Sequence, residues 1–563
     1  MKRRWKILPP APKEHMDKME KYSPFVAQLL YNRGITEHSD AETFLAVDKS
    51  LQDTPLLLPD VEKATARIHQ ALRCDENIAV YGDFDADGVC GTAVLAHGLT
   101  ILGGKVTPYI PHRLKEDRGL SSTALEQLRQ QGFTLVVTVD CGITAIAEVE
   151  HASKLGMDII ITDHHNTLPV LPAAIAVVDP KRKDSSYPFQ FLAGAGVAYK
   201  FMQAVFRSMG RNEEECLEEL LDLVAIATIA DLVPLVGENR YLVHRGLQVL
   251  NQTKWLGLRE LIGLAGLRLG AVDEERVSWT IGPRINAAGR IDWALTSYKL
   301  LMSDTIEEAQ NLARELEERN TERQQLTEDV LANIKEQMSP DMLDLPLMMI
   351  EGDDYPLGVI GLAAGKLVEE FYRPAIVVAL GPDKSHGSAR SIPEFDIVAA
   401  LQECQDILPR FGGHPGAAGF TIPTGDLPLL RQRLLEIAQR KLAAVELQPT
   451  YIIDSEWSLA SLDWSVYKDM QRFAPFGQSN PQPTFLSRQV NVIECRTVGA
   501  NGDHLKLKLR DGKFVWYGIG FDLGHRWSEV TSSIDVVHNV GLDRWGRGEF
   551  LQLNILDFAP SPR

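Results

Sequence analysis

Three short apolar runs in the first third of the chain each stop at an aspartate. NIAVYG (77–82) leads into Asp83, LVVTVD (135–140) ends on Asp140, and DIIITD (158–163) ends on Asp163. Each run is too short for a helix and too uniformly apolar for a strand with one wet face. Helix-length amphipathic segments lie near 89–102, 121–131 and 144–155. Short buried strands joined by helical crossovers build a parallel sheet covered on both faces, an α/β fold. In such sheets, residues just past the carboxyl ends of the strands line the ligand crevice. The pattern therefore sets a fold class and also an address for chemistry.

The same reading extends down the chain. Strands are expected at 105–111 and 174–179, and helices at about 193–209 and 213–231. A mixed region runs to about 300. Residues 304–344 read as one long helix ended by Pro340, with Leu312, Leu316, Leu326, Val330, Ile334 and Met338 at helical spacing. Residues 345–445 form a second α/β unit with a strand at AIVVAL (375–380). After 450 the helical patterns give way to alternation such as LKLKLR (505–510), which suggests a small β-barrel. The expected organisation is a lead-in at 1–60, a parallel-sheet domain at 61–300, a connector helix at 301–344, a second α/β domain at 345–448 and a barrel at 449–563.

Nothing approaches about 18 consecutive apolar residues, so no membrane partner is expected. The basic start is followed by Pro9, Pro10 and Pro12 where a signal peptide needs an apolar run, so the expected location is cytoplasmic. The six cysteines are scattered, with no C-x-x-C pair, and indicate neither disulfides nor zinc. The net charge of −18 argues at first sight against a nucleic-acid ligand. That argument weakens by segment. Residues 212–222 carry −6 and residues 304–344 carry −8, both on helical stretches.

Metal-ligand residue types gather at four places: Asp83-Phe84-Asp85-Ala86-Asp87-Gly88, Asp140, Asp163-His164-His165, and Asp231 after the apolar run 224–230. One aspartate after a strand is usually a turn or a helix cap. Several on one edge of one sheet cannot be held together without a cation. Carboxylates with an imidazole suit Mn²⁺ or Mg²⁺ better than zinc. Two such ions about 3.5–4 Å apart would activate a water for in-line attack on phosphorus.

The motifs, in order, are VYGDFDADGVCGT (80–92), TVDCGIT (138–144), TDHH (162–165), ATIADLVPL (227–235), GPRINAAGR (282–290), GSARS (387–391), GGHPGAAGF (412–420) and APFGQSNPQP (474–483). Together they resemble the DHH phosphoesterase superfamily, named for a triplet matched here by 163–165. Within it they resemble the family of bacterial single-stranded-DNA-specific 5′→3′ exonucleases. The resemblance covers roughly residues 60–560. It implies a DHH domain, a connector helix, a DHH-associated domain and an OB-type barrel.

It also implies roles. Asp83 and Asp85 hold one metal, Asp87, His164 and Asp231 the other, and Asp140 bridges both; Asp140, Asp87 and His165 act in the chemical step. His165 contacts substrate or assists proton transfer to the leaving oxygen. Ser388 and Arg390 hold the 5′-terminal phosphate or its neighbour, and Arg113, Arg284 and Asn286 contact the strand. His414 lies in a glycine-rich loop whose amides approach a phosphate. Arg118 stands where the family usually has a tyrosine, so a guanidinium plane takes the place of an aromatic ring there. In the barrel, Lys506, Lys508 and Arg510 alternate on one face near Phe514, Trp516 and Tyr517, a composition suited to single strands. The implied activity is stepwise removal of mononucleotides from the 5′ end of single-stranded DNA in repair and recombination, with a single-strand-binding protein and a helicase as partners. A small-substrate phosphoesterase of the superfamily would need neither barrel nor connector, and a non-catalytic scaffold would not need intact carboxylates.

Overall fold

A computed structural model of the chain describes residues 3–113, 116, 119–543 and 550–561. Arg118 lies outside them. The chain divides into two compact units. One comprises residues 53–233 and 242–447, and the other the described residues of 2–52, 234–241 and 448–563.

The first unit opens with a five-stranded, wholly parallel sheet: β1 (Asn77–Gly82), β2 (Lys105–Tyr109), β3 (Leu135–Val139), β4 (Asp158–Thr162) and β5 (Ala176–Val178), in the order β2-β1-β3-β4-β5. Every residue of β3 is buried, as a strand covered on both faces requires. Tyr81, Val136, Ile159 and Ile161 pack with Leu125, Leu128 and Val149 on one face. Helices α1 (Ala86–Ile101) and α2 (Gly194–Ser208) pack on each other and against the sheet, and α3 (Leu221–Ala230) packs on both. In this strand order the chain reverses direction across the sheet at β1/β3, where doubly wound sheets open their crevice.

A second sheet in the same unit comprises β6 (Met348–Gly352), β7 (Ala375–Ala379), β8 (Lys384–Arg390), β9 (Arg410–His414) and β10 (Ala417–Pro423), ordered β9-β10-β8-β7-β6. Only β6 and β7 are parallel. Helix α4 (Gly282–Ile291) and the 32-residue α5 (Ile306–Gln337) lead to it. The acidic outer face of α5 is solvent-exposed, while Val330 and Ile334 pack on α6 (Ile360–Phe371). The expected helix over 304–344 is thus shorter. It ends at Gln337, and Pro340 opens a separate four-residue turn, where its fixed φ suits the first helical position.

In the second unit, β11 (Phe485–Val498), β12 (His504–Asp511), β13 (Phe514–Gly520), β14 (Ser533–Asp543) and β15 (Phe550–Pro560) close into a barrel. The order is β11-β12-β13-β15-β14, and β14 pairs back on β11. Residues 3–52 are part of this unit. Arg4–Ile7 pairs in parallel with Thr450–Ile453, and Phe25, Leu29 and Leu30 share a core with Phe485, Leu505 and Trp516. Trp516 is therefore a core residue, its indole N–H donating to Leu459 O at 3.0 Å. Phe514 and Tyr517 are exposed, with the Lys508 ammonium 5.6 Å from the Tyr517 ring.

Candidate metal centre

Strand register places the carboxylates. Gly82 pairs with Val139, Val139 with Thr162, and Thr162 with Val178. The next residues, Asp83, Asp140, Asp163 and Asp179, therefore stand level in a row along the carboxyl edge. Asp140 N–H and Asp163 N–H continue the ladder to Thr162 O and Val178 O, each at 3.1 Å. The fourth of these, Asp179, is absent from the sequence-derived site. Its Oδ1 accepts from Lys181 N–H at 2.7 Å, while its Oδ2 is buried without a hydrogen-bond partner. Burial, then the charge of Asp163, pushes its carboxyl up to about 7. A period-based reading takes such a residue as a strand end and nothing more; only the register reveals it.

The turn after β1 adds two carboxylates. Asp85 caps α1, its Oδ1 accepting from Asp87 N–H and Gly88 N–H, both at 3.1 Å. Asp87, on the first turn, reaches across to α2. Its Oδ2 accepts from Gly194 N–H at 2.6 Å and its Oδ1 from Ala195 N–H at 2.8 Å. Those amides are unpaired at the start of any helix and welcome an anion. The approach needs a glycine, because a Cβ at 194 would stand 2.7 Å from Asp140 Cβ and 3.0 Å from Asp87 Oδ2.

His164 sits at the centre. Its Nε2 is 3.0 Å from Asp140 Oδ1, 3.6 Å from Asp87 Oδ2 and 3.8 Å from Asp231 Oδ2. Burial, then the charge of His165, holds the ring near 3, so the imidazole is neutral and able to ligate. Three triplets each bring one ligand atom per residue within 4.8 Å: Asp83, Asp85 and Asp140; Asp87, His164 and Asp231; and Asp140, His164 and His165. Burial raises Asp87 to about 7 and Asp231 to about 8, with neighbouring aspartate charges adding to each. Burial and the charges of Asp87, Asp85, Asp83 and Asp231 raise Asp140 well above the carboxylate range. A cluster so short of positive charge fits divalent cations, and an oxygen-rich set with one imidazole fits Mn²⁺ or Mg²⁺.

Asp163 plays a different part. It accepts from Ile143 N–H (3.0 Å) and His164 N–H (2.7 Å), and it lies 2.8 Å from His165 Nδ1. Burial opposes its charge, but the His165 bond and the imidazole and backbone partners prevail and hold it near 2.

A patch of the opposite sign lies in the same unit. Arg290 on α4, Arg323 on α5 and Arg390 on β8 make no ion pair with any described carboxylate, and Arg323 Nε is buried without a partner. Burial, then the charges of Arg113, Arg323 and Arg390, lowers Arg290 to about 10. Arg290 thus lies within the field of three other guanidinium groups, and a local excess of guanidinium suits an anion. Arg113 lies 4.7 Å over the Phe84 ring, and Arg390 Nη1 is 3.4 Å from Ser388 Oγ. Arg290 and Arg323 escaped the sequence reading because an arginine's partners are not written beside it.

Two expected strand contacts are otherwise engaged. Arg284 forks onto Glu317 at 2.5 and 3.0 Å and donates to Thr280 O at 2.9 Å. Asn286 Oδ1 accepts from Ala86 N–H at 2.8 Å, pinning α4 to the start of α1. The Gly412–Gly416 stretch is a strand end and tight hairpin, because Arg410–His414 pairs with Ala417–Thr421, and not the expected loop. His414 is exposed, level with Arg390 across one intervening strand, about 10 Å away at the usual strand spacing.

Comparison with known proteins gives the following. Family models match for the DHH family N-terminal domain at residues 77–228, the DHHA1 domain at 344–441 and the RecJ OB domain at 453–557. The single-stranded-DNA-specific exonuclease RecJ of Bacillus subtilis is 39% identical over 566 residues, covering 100% of this chain and 71% of that protein. The Escherichia coli RecJ is 33% identical over 522 residues, covering 89% of each. Among solved structures, RecJ of Thermus thermophilus in complex with Mn²⁺ superposes with a TM-score of 0.85 at 30% identity, covering 100% of this chain and 80% of that one. Its Mg²⁺ complex gives 0.77 at 28%, covering 100% of this chain and 79% of that one.

Proposed function

The chain belongs to the RecJ family of single-stranded-DNA-specific exonucleases in the DHH superfamily, and on that premise we propose that it removes mononucleotides stepwise from the 5′ end of single-stranded DNA. It is a metal-dependent phosphodiester hydrolase using Mn²⁺ or Mg²⁺. The observation that carries the reading is the buried carboxylate–imidazole cluster at the β1/β3 switch point, together with Arg290, Arg323 and Arg390, which pair with no described carboxylate. The donor set of one suits divalent cations and that of the other suits phosphate.

Asp83, Asp85 and Asp140 would hold one ion, and Asp87, His164 and Asp231 the other, with Asp140 shared. Bound there, the ions supply an activated water and charge stabilisation at the phosphorus. Arg390 with Ser388, joined by Arg290, Arg323 and Arg113, grips the 5′-terminal phosphate or its neighbour. Arg284 and Asn286 act one step back, by fixing α4. Hydrolysis breaks the P–O3′ bond, so the terminal nucleotide leaves with a 3′ hydroxyl and the strand keeps a new 5′ phosphate. Asp163 engages Nδ1 of His165, so Nε2 is the nitrogen that would deliver a proton to the leaving O3′. The exposed Lys508–Tyr517 pair on the barrel adds a cation and a stacking surface for single strands. His414 contributes at the rim of the phosphate patch.

Its biology would be repair and recombination, in company with a single-strand-binding protein and a helicase. No helix among the described residues is long and apolar enough to cross a membrane, and we place the protein in the cytoplasm. The decisive experiment supplies Mn²⁺ and end-labelled single strands, duplexes and RNA. Labelled mononucleotides should appear first from the 5′ end of single-stranded DNA. Rapid internal cutting, or release from the 3′ end first, would overturn the proposal.

A further inference from the structure

Trp279 is 72% exposed, the most exposed of the large hydrophobic side chains among the described residues. Leaving an indole in water forgoes one of the largest burial gains a side chain offers. Trp279 lies in a five-residue π-helical turn, Val277–Ile281, whose flanking Val277 and Ile281 are fully buried. Such turns cluster at functional sites because the extra residue pushes a side chain out of the helical row.

The turn is close to the metal centre. It packs against the end of α3, and a Cβ on Gly282 would lie 3.4 Å from Ala230 Cβ, the residue before Asp231. From Gly282 back to Trp279 is about one turn, roughly 5 Å of rise. Leu232, directly after Asp231, is 66% exposed at a left-handed φ of +57°, so the metal carboxylate is flanked by a second outward-facing apolar group. The turn is also held rigidly. Arg284 donates to Thr280 O while its fork grips Glu317 on α5.

We propose that Trp279 is a stacking platform for a nucleobase of the bound single strand, fixed beside the metal centre by the Arg284–Glu317 clamp. The occupant follows from the chemistry. A strand whose phosphate is at the carboxylates must put its neighbouring bases somewhere, and unpaired bases have bare π faces that aromatic rings cover. This rests on the nuclease reading above. It adds that base contact contributes to affinity at the scissile end, and that Arg284 is a positioning residue for that contact.

The test uses equilibrium binding with cleavage blocked by substituting Ca²⁺, followed by turnover in Mn²⁺. Oligonucleotides carry a single abasic residue moved stepwise from the 5′ end. With the parent protein, one position should weaken binding on losing its base, by about 5- to 160-fold, the range of one base–aromatic stack. W279A should bind the intact strand that much more weakly and become indifferent to the abasic position, while W279F recovers most of the affinity. In turnover the change should appear in KM with kcat nearly kept, the mark of a contact shared by ground and transition states. R284M should reproduce the W279A profile in weaker form. Equal losses for intact and abasic strands, or W279A binding like the parent, would overturn the platform. Absence of 5′ release by the parent in Mn²⁺ would instead count against the nuclease reading, and the Ca²⁺ binding comparison would still decide the platform.

Discussion

Gly194 binds nothing through a side chain, yet replacing it with alanine should disable the metal centre. The new methyl would be 2.7 Å from Asp140 Cβ, 3.0 Å from Asp140 Cα and 3.0 Å from Asp87 Oδ2. Carbon atoms settle at about 3.5–4.0 Å, so the neighbours must retreat by about 1 Å. Retreat moves two proposed ligands at once and stretches the 2.6 Å bond from Gly194 N–H to Asp87. Overpacking of this kind costs about 1–3 kcal/mol, partly offset by up to about 1 kcal/mol of better helix propensity. The fold should survive, whereas misplacing reacting groups by about 1 Å costs on the order of 100-fold in rate. The assay is a Mn²⁺ titration of labelled 5′-nucleotide release, beside thermal melting by circular dichroism. G194A should fall by about 100-fold at metal levels that saturate the parent. The control is two residues along the same helix. A Cβ on Gly196 would meet nothing nearer than Leu192 at 3.5 Å, so G196A should stay within about threefold of the parent. G194A working like the parent, or G196A failing as badly, would refute the steric reasoning.

Asp140→Asn should keep the backbone, since asparagine tolerates the φ of +60° found there, and should cut hydrolysis by more than about 100-fold. Parent protein in Mn²⁺ at 100 times Kd should be stabilised by about 3 kcal/mol over its chelated form, and the variant should lose that gain; equal melting shifts would refute it. Arg390→Met should lower the slope of log affinity against log salt by about 0.7, the contribution of one phosphate contact on a single strand. An unchanged slope would remove Arg390 from the phosphate site. His538, fully buried in the barrel, is held at about 4 by burial, against 6.5 in its ordinary state. Its depressed pKa means that unfolded chain takes up the proton first as pH falls. The barrel should therefore lose up to about 3 kcal/mol between pH 6.5 and 4 and little more below, read by hydrogen exchange of its strands. His538→Gln, which can still bond Ser487, should flatten that profile.

The parts of the site that could be read from sequence are those that secondary structure places by itself. Once NIAVYG, LVVTV and DIIIT are strands of one parallel sheet, their terminal aspartates share an edge whatever else the chain does. Asp179 was hidden because Ala176–Val178 is a three-residue strand whose register, not its composition, makes it equivalent to its neighbours. The arginines divide in the same way. Arg390 was legible from its Gly-Ser-Ala-Arg setting, but Arg284 and Arg290 occupy one motif and have opposite fates. One is neutralised by Glu317 of α5, and the other faces Arg113, Arg323 and Arg390. That difference depends on which distant helix each meets. Trp516 and Tyr517 are adjacent, and strand alternation alone sends one into the core and the other into solvent.

The second unit joins residues 3–52 to residues beyond 448, and this separation orders events at the ribosome. The helix Pro24–Asn32, with Phe25, Leu29 and Leu30 in the barrel core, is synthesised well before the barrel strands. Its partners, Phe485, Leu505 and Trp516, come more than 400 residues later. At about 5–20 residues per second, that apolar helix waits roughly 20–100 s before its core exists, while the whole of the first unit emerges and can fold. Until then its apolar face lacks the barrel half of its core. A truncation that removes the barrel would leave that helix uncovered permanently, so loss of the last hundred residues should be felt as aggregation before it is felt as weakened DNA binding.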